Sequence, residues 1–554
     1  MKSNNQYVIG VDYGTLTCRA VLVNVNNGKV VSTATKDYSH GVMDKFMPDG
    51  VSPLPPDWAL QHPQDYLDCL AYVIPEVLRI ANVDAEDVVG IGTDATECTM
   101  IPIKKDGTPL CFIDEFKDNK HAYVKLWKHH SPQKYADKIA EIAKKRNEPF
   151  LKQYGDIVSS EWMFPKIMET LEEAPEVYNA CDMFIELADW ITLLLTGKEK
   201  RNSCTAGYKA LWQKGIGYPS NDFWKDVDDR MENVVDEKLS KDIYALGTKA
   251  GTITQSAAKL TTLKEGTSVA VAAGDGHVAF FGAGVTKPDT LLIVFGTSGV
   301  SELVTKNRTA IPGICGNCED GILPNHFGLE AGQCCLGDHF KWFSKKCVSY
   351  DLHKKAKKKG IPILEYLDQE ASKIKPGESG LVALDWWNGN RSILGNSNLS
   401  GCLVGMTLTT SSIEIYKALV EAVAYGERVI IENFVNHGAN VNEIVATGGI
   451  AEKSAFVMQT YADVLNKEIK VVDVQNATAM GSAILGAVAS GHYKSIEKAT
   501  EAFKPGIRSV YTPKPQNVSL YNELFKQYFK MHEFFGRETN VMKDLKNLRR
   551  KCSK

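Results

Sequence analysis

The stretch Val8–Val25, VIGVDYGTLTCRAVLVNV, constrains this chain more than any other: two apolar runs flank a turn of glycine and hydroxyl residues. Such a pattern predicts two adjacent strands joined by a tight turn. A turn containing Gly14, Thr15 and Thr17 leaves backbone N–H groups open to an anion, because little side-chain bulk stands in the way. Asp12, at the tip of the first run, supplies the hard oxygen that a divalent cation prefers, next to that anion. Read alone, the same residues also suit an ordinary surface hairpin.

With 554 residues the chain is too long for one core, so two large domains or about three or four smaller ones are expected. Hydrophobic residues make up 44% and charged residues 24%, the balance of an ordinary globular protein. A net charge of −3 gives no field that draws the chain to nucleic acid or to an anionic membrane. MKSNNQYVIG lacks the pattern of a signal peptide, and no run approaches the ~18 apolar residues of a membrane span. The basic segment KDLKNLRRKCSK reads as a solvated tail. Most of the thirteen cysteines stand singly in apolar segments, as Cys69, Cys111, Cys181 and Cys402 do, which predicts reduced thiols in a cytoplasmic protein. Cys315 and Cys318 form one C-x-x-C beside the vicinal pair Cys334 and Cys335, but no second C-x-x-C completes a zinc set, so no metal is expected there.

Short apolar runs alternate with helical patterns, which predicts an α/β fold. Strands are expected at Tyr7–Val11, Arg19–Val25, Val88–Gly92, Ser268–Ala273, Leu291–Phe295 and Ile444–Thr447. Helices are expected at Gln64–Ala81, Ala188–Leu195, Ile413–Asn436, Ser454–Leu465 and Tyr521–Phe535. Leu291–Val304, LLIVFGTSGVSELV, repeats the opening pattern, with Phe295-Gly296-Thr297 aligned on Tyr13-Gly14-Thr15 and Val294 opposite Asp12. Two similar halves facing each other across a nucleotide follow from such a repeat. The junction is expected near the glycine-rich 282–288, giving domains 1–286 and 287–554.

Gly274-Asp275-Gly276-His277 follows a small apolar strand, where α/β sheets expose their sites. A carboxylate there can accept the proton of a hydroxyl that attacks a phosphoryl group, although an Asp-Gly turn explains the same residues. Ile444–Ile450, IVATGGI, ends a strand on Gly448-Gly449, where a flat ring or a ribose could lie on bare backbone. No G-x-x-x-x-G-K-[ST], G-x-G-x-x-G or H-R-D motif is present, so a nucleotide would be held by two opposed hairpins.

Taken in order, GVDYGT, GDGHVAF, VFGTSG and ATGGIAEKSAF resemble the phosphate, catalytic, second phosphate and adenosine segments of the FGGY carbohydrate kinases. Gly401–Met406 with Glu414–Glu421 is similar to that family's C-terminal signature, and Ala188–Ile191 with Leu195–Gly197 to its N-terminal pattern. The resemblance implies two ribonuclease H-like domains of the actin, hexokinase and Hsp70 type with an ATP cleft between them. Within the family, LPPDWALQHP, GTDATECTMIPI, HAYVKLWKHH, GLEAGQ and LDWWNGNRSILGN are similar to segments of the branch that acts on L-ribulose. Glycerol and xylulose kinases carry W-x-D-x-R where this chain has Leu126-Trp127-Lys128-His129, which argues against their substrates.

The resemblance implies ATP and Mg²⁺ as cofactors and L-ribulose as the sugar, and it is compatible with a homodimer. Asp275 would be the general base, and Asp12 with Asp275 would frame the metal. Gly14, Thr15, Gly296 and Thr297 would hold phosphates; Gly448, Gly449 and Lys453 would line the adenosine side. Ala95, Lys209 and Glu330, with Asp275, would contact the sugar. Ser454 stands where many members have Asn. A kinase for D-ribulose, xylulose or ribitol, and an actin- or Hsp70-like ATP switch, are the alternative readings.

Overall fold

The structure, a computed structural model, describes residues 6–552. Two seven-stranded sheets organise it. The first is built around β1 (Tyr7–Tyr13), β2 (Thr17–Asn24) and β3 (Val88–Ala95). The second is built around β4 (Thr290–Phe295), β5 (Gly299–Thr305) and β6 (Glu443–Thr447). Each sheet repeats one local plan: an antiparallel hairpin, β1–β2 or β4–β5, whose first strand also pairs in parallel with a strand from far along the chain. The two apolar runs of each hairpin are buried along nearly their whole length, as strands inside a layered α/β fold must be. The mixed α/β class and the paired halves expected from the sequence are those observed.

Four helices border the strand ends that carry the site residues: α1 (Ser203–Lys209), α2 (Asp275–Gly282), α3 (Gly449–Lys453) and α4 (Ala477–Ala489). Although α4 lies late in the chain, it packs on β1 and β3 of the first sheet. Gly10 and Gly92 make that approach feasible. A Cβ on Gly10 would stand 1.8 Å from the Ala479 carbonyl oxygen, and one on Gly92 2.0 Å from that of Ser482. A shared core of Val8, Val21, Leu292, Val445, Ala479 and Ala483 joins the two sheets through this helix.

The long helices fall where periodicity places them, at Pro63–Ala81, Leu187–Thr196, Ser412–Asn436 and Ala455–Leu465. The third starts on a capping box, in which Ser411 accepts the Glu414 N–H and Glu414 accepts the Ser411 N–H. Tyr521, Phe525 and Tyr528 of the Pro515–Glu533 helix pack into the second core.

Two expectations need correction. The strand expected over Ser268–Ala273 is two strands, Ser268–Ala270 and Ala273–Gly274, with Val271 N–H donating to the Thr248 carbonyl at 2.9 Å just beyond the Lys249–Ala270 pair. The strand expected to end at Gly92 runs on to Ala95 and so includes Asp94. The described part of the basic segment read as a solvated tail is helical, within Val541–Cys552, and mostly exposed; the last two residues of that segment lie outside the described residues. No helix among the described residues is long and apolar enough to cross a membrane.

Candidate active site

The carboxyl ends of β1, β3 and the Ala273–Gly274 strand lie side by side, with Asp12 opposite Asp94 and Ala273 opposite Asp94 in register. Asp275 opens α2 directly after them and accepts the Gly276 N–H at 2.8 Å. Three acids therefore converge: Asp12, Asp94 and Asp275. Helix α4 supplies their hydroxyl partners one turn apart, Thr478 donating to Asp12 at 2.8 Å and Ser482 to Asp94 at 2.6 Å. Burial raises the Asp12 carboxyl above its usual range, against the pull of Thr478 and Arg19. Asp94 is raised further, by burial and then by the Asp12 charge. Its Oδ1 has no hydrogen-bond partner among the described residues. Burial, Asp12 and Glu97 push Asp275 up to about 8. Removing mutual repulsion among three hard oxygen donors is what a bound divalent cation does, so the donor set fits Mg²⁺.

The first hairpin turn is braced from outside. Its Gly14 carbonyl accepts the Tyr38 hydroxyl at 2.9 Å, its Thr15 carbonyl the Gln61 amide at 2.7 Å, and its Thr15 hydroxyl the Trp127 indole N–H at 3.1 Å. The second turn is held by the start of the Gly337–Lys346 helix and its cap residue: Gly296 O accepts Gly337 N–H at 3.1 Å, and Thr297 O accepts Leu336 N–H at 2.9 Å. With their carbonyls occupied, both turns keep a fixed shape. Gly448 sits against this second hairpin with φ at 101°, and a Cβ there would lie 2.6 Å from the Phe295 carbonyl oxygen. Next to it, the face of Gly449 is open, with nothing within 4 Å.

Beyond Asp275 lies a second charged cluster. Lys209, at the end of α1, reaches Glu330 at 2.6 Å and Glu97 at 2.9 Å. His277 Nδ1 lies 2.7 Å from Glu97 and its Nε2 3.6 Å from Glu330. Burial opposes ionisation of Glu97, but His277 and Lys209 outweigh it and hold that carboxyl well below the usual range. Glu302, opposite Glu330 on the β5 ladder, has no hydrogen-bond partner among the described residues, and burial pushes it up to about 7. Ala95 ends β3 between the two clusters, its backbone opposite Tyr13 and Gly274. Ala95, Lys209, Glu330 and Asp275 are thus brought together.

Residues 7–282 match the N-terminal domain of the FGGY family of carbohydrate kinases, and residues 291–490 match its C-terminal domain. This chain belongs to the FGGY carbohydrate kinase family. Its curated relatives include a ribulokinase of Bacillus licheniformis, 49% identical over 96% of this chain and 97% of that protein. Another ribulokinase, from Geobacillus thermodenitrificans, is 45% identical over 98% and 97%. Among solved structures, a xylulose kinase from Rhodospirillum rubrum superposes with a TM-score of 0.79 at 21% identity, covering 96% of this chain and all of that one. A gluconate kinase from Lactobacillus acidophilus gives 0.78 at 19%, over 96% and 99%. These structural likenesses carry the two-domain sugar-kinase fold.

Within this FGGY frame, Asp94, His277, Glu302 and the Trp127 brace were not singled out from the sequence. Asp94 did carry a signal: Gly10-x-Asp12 and Gly92-x-Asp94 are the same glycine–acid spacing on neighbouring strands. Lys453, the last residue of α3, lines a cavity of about 560 Å³ with Asp368, Lys417, Phe456 and Tyr521, whose walls include none of the three aspartates. Ser454, in the place of the family's Asn, caps the next helix by accepting the Val457 N–H at 3.1 Å and donating to Asp368 at 2.6 Å.

Proposed function

We propose that this chain is a cytoplasmic ATP-dependent kinase that transfers the γ-phosphoryl group to O5 of L-ribulose. The observation that carries the reading is the position of Asp275. It opens α2 beside Asp12, at the end of the first braced glycine–threonine turn, and beside Glu97 of the Lys209–Glu97–Glu330 cluster, which is suited to a polyol. The naming of full-length relatives at 45% and 49% identity as ribulokinases supports the choice of sugar. Thirteen free cysteines, most of them buried, support a reducing compartment.

Transfer of a phosphoryl group needs positioning and charge neutralisation more than covalent help. In this reading Gly14, Thr15, Gly296 and Thr297 hold the phosphates, and Gly448, Gly449 and Lys453 the adenosine side. Asp12, Asp94 and Asp275 would hold Mg²⁺, which when bound neutralises charge on the transferring group. Lys209 and Glu330 orient the sugar by donating to and accepting from its hydroxyls, with the Ala95 backbone beside them. Asp275 accepts the O5 proton as O5 attacks. Closure of the halves excludes water, which would otherwise compete as acceptor.

Product identification tests the reading. L-ribulose with ATP and Mg²⁺ should give the 5-phosphate, seen as phosphorus–carbon coupling at C5 by NMR. Phosphorylation at another position, or ADP formed without any sugar phosphate, would overturn it.

A further inference from the structure

We propose that His277 is a positioning residue that locks the first turn of α2, and with it Asp275, to the carboxylates of the sugar end. The inference rests on the sugar-kinase reading above. His277 lies two residues after Asp275 on the same turn and is 1% exposed. Its ring stacks on Tyr208 of α1 at 4.1 Å between centroids and 22° between planes, which sets the ring plane. In that plane Nδ1 meets Glu97 at 2.7 Å and Nε2 faces Glu330 at 3.6 Å. Glu97 follows β3 in the first half, and Glu330 lies on Phe327–Gln333 in the second. One side chain of α2 therefore takes its bearings from both halves.

Nδ1 makes the hydrogen bond, to Glu97, while Nε2 lies near Glu330 beyond hydrogen-bond distance. Lys209 bridges the same two acids, at 2.9 Å to Glu97 and 2.6 Å to Glu330. Loss of His277 consequently leaves Glu97 and Glu330 paired and the sugar contacts in place. What is lost is the tie between those contacts and the helix that carries the base. Misplacing a reacting group by about 1 Å costs on the order of 10²-fold in rate.

His277→Asn and His277→Gln separate the two contacts, because the Asn amide reaches toward the Nδ1 position and the Gln amide toward that of Nε2. Steady-state kinetics on the best pentulose, with ATP-binding and thermal-melting controls, should show kcat reduced about 30-fold. Sugar KM and the melting midpoint should change little, and Asn should retain more activity than Gln because Glu97 is the nearer partner. Unchanged kcat in both variants would overturn the proposal. So would a raised sugar KM at constant kcat, which would make His277 a direct sugar ligand, or a kcat loss that tracks a fallen midpoint. The unvaried protein is assayed alongside: if it phosphorylates no sugar, the kinase reading and this inference fall together, whereas active wild type with unaffected variants removes His277 alone.

Discussion

Asp12 and Asp94 face each other across the parallel β1–β3 ladder, each two residues after a glycine that lies under α4. The glycines let the helix come close enough for Thr478 and Ser482, four residues apart and so on one helix face, to reach the two acids. Geometry, packing and acid chemistry are here one arrangement. It makes the metal-binding end of the cleft depend on a helix drawn from the far end of the chain.

Replacing Asp94 by Asn keeps the shape and the Ser482 contact but removes one anion from the trio. The Mg²⁺ concentration for half-maximal rate should rise about tenfold or more, the usual size of a loss beside a metal ligand. Titrating Mg²⁺ at saturating ATP and sugar measures this. An unchanged Mg²⁺ requirement would take Asp94 out of the site.

Gly10→Ala puts a methyl group onto the Ala479 carbonyl, where only 1.8 Å is available. Overpacking of this kind costs about 1–3 kcal/mol. Urea unfolding should show that loss, and the shifted helix should weaken Mg²⁺ activation as well, since Thr478 moves off Asp12. Wild-type stability in this variant would mean that α4 does not sit where the ladder requires it.

Burial pushes Glu186, Asp189, Glu302 and Glu427 each up to about 7, so the folded protein keeps protons that the unfolded chain releases near 4. Raising pH through that window therefore destabilises the fold. Buried neutral His121, His129 and His339, lowered by burial to about 2, 4 and 3, act the other way, but only below the ordinary histidine value of 6.5. From pH 6.5 to 8 the acids stand unopposed by these histidines, and the melting midpoint of metal-free protein should fall. Glu427→Gln, which retains an acceptor for the Ser301 hydroxyl, should flatten the slope. A midpoint that rises over this range would contradict the assignment.

Asp275→Asn should cut kcat by about 10²–10⁴-fold, the range of a lost general base, while ATP binding by calorimetry stays near that of the unvaried protein. Turnover close to wild type would leave the O5 proton to another group.

Much of this was legible in the chain. The two hairpins show in the sequence because a buried strand, a glycine–threonine turn and a second buried strand are local. The Asp275 turn and the Gly448-Gly449 turn are local too, and each stands at a strand end. What was not legible is long-range: Ser482 on Asp94, Tyr208 on His277, Trp127 on Thr15. These pairs are joined by sheet order and helix packing, which no periodicity records. Lys209 illustrates the limit. Within YKALW it looks like a surface charge, and only the fold shows it buried between two glutamates. The break between Ala270 and Ala273 escaped for a related reason, since a run of uniform apolar residues does not reveal where strand pairing stops.

The central claim is that sugar-dependent phosphoryl transfer is the work of this cleft. A coupled ADP-release assay across L-ribulose, D-ribulose, xylulose, ribitol and glycerol, with a no-sugar control, tests it most directly. ADP release should require sugar and proceed with the highest kcat/KM on L-ribulose. Equal ADP release with and without sugar would mark an ATP switch, and a polyol as best acceptor would move the chain to another branch of the family.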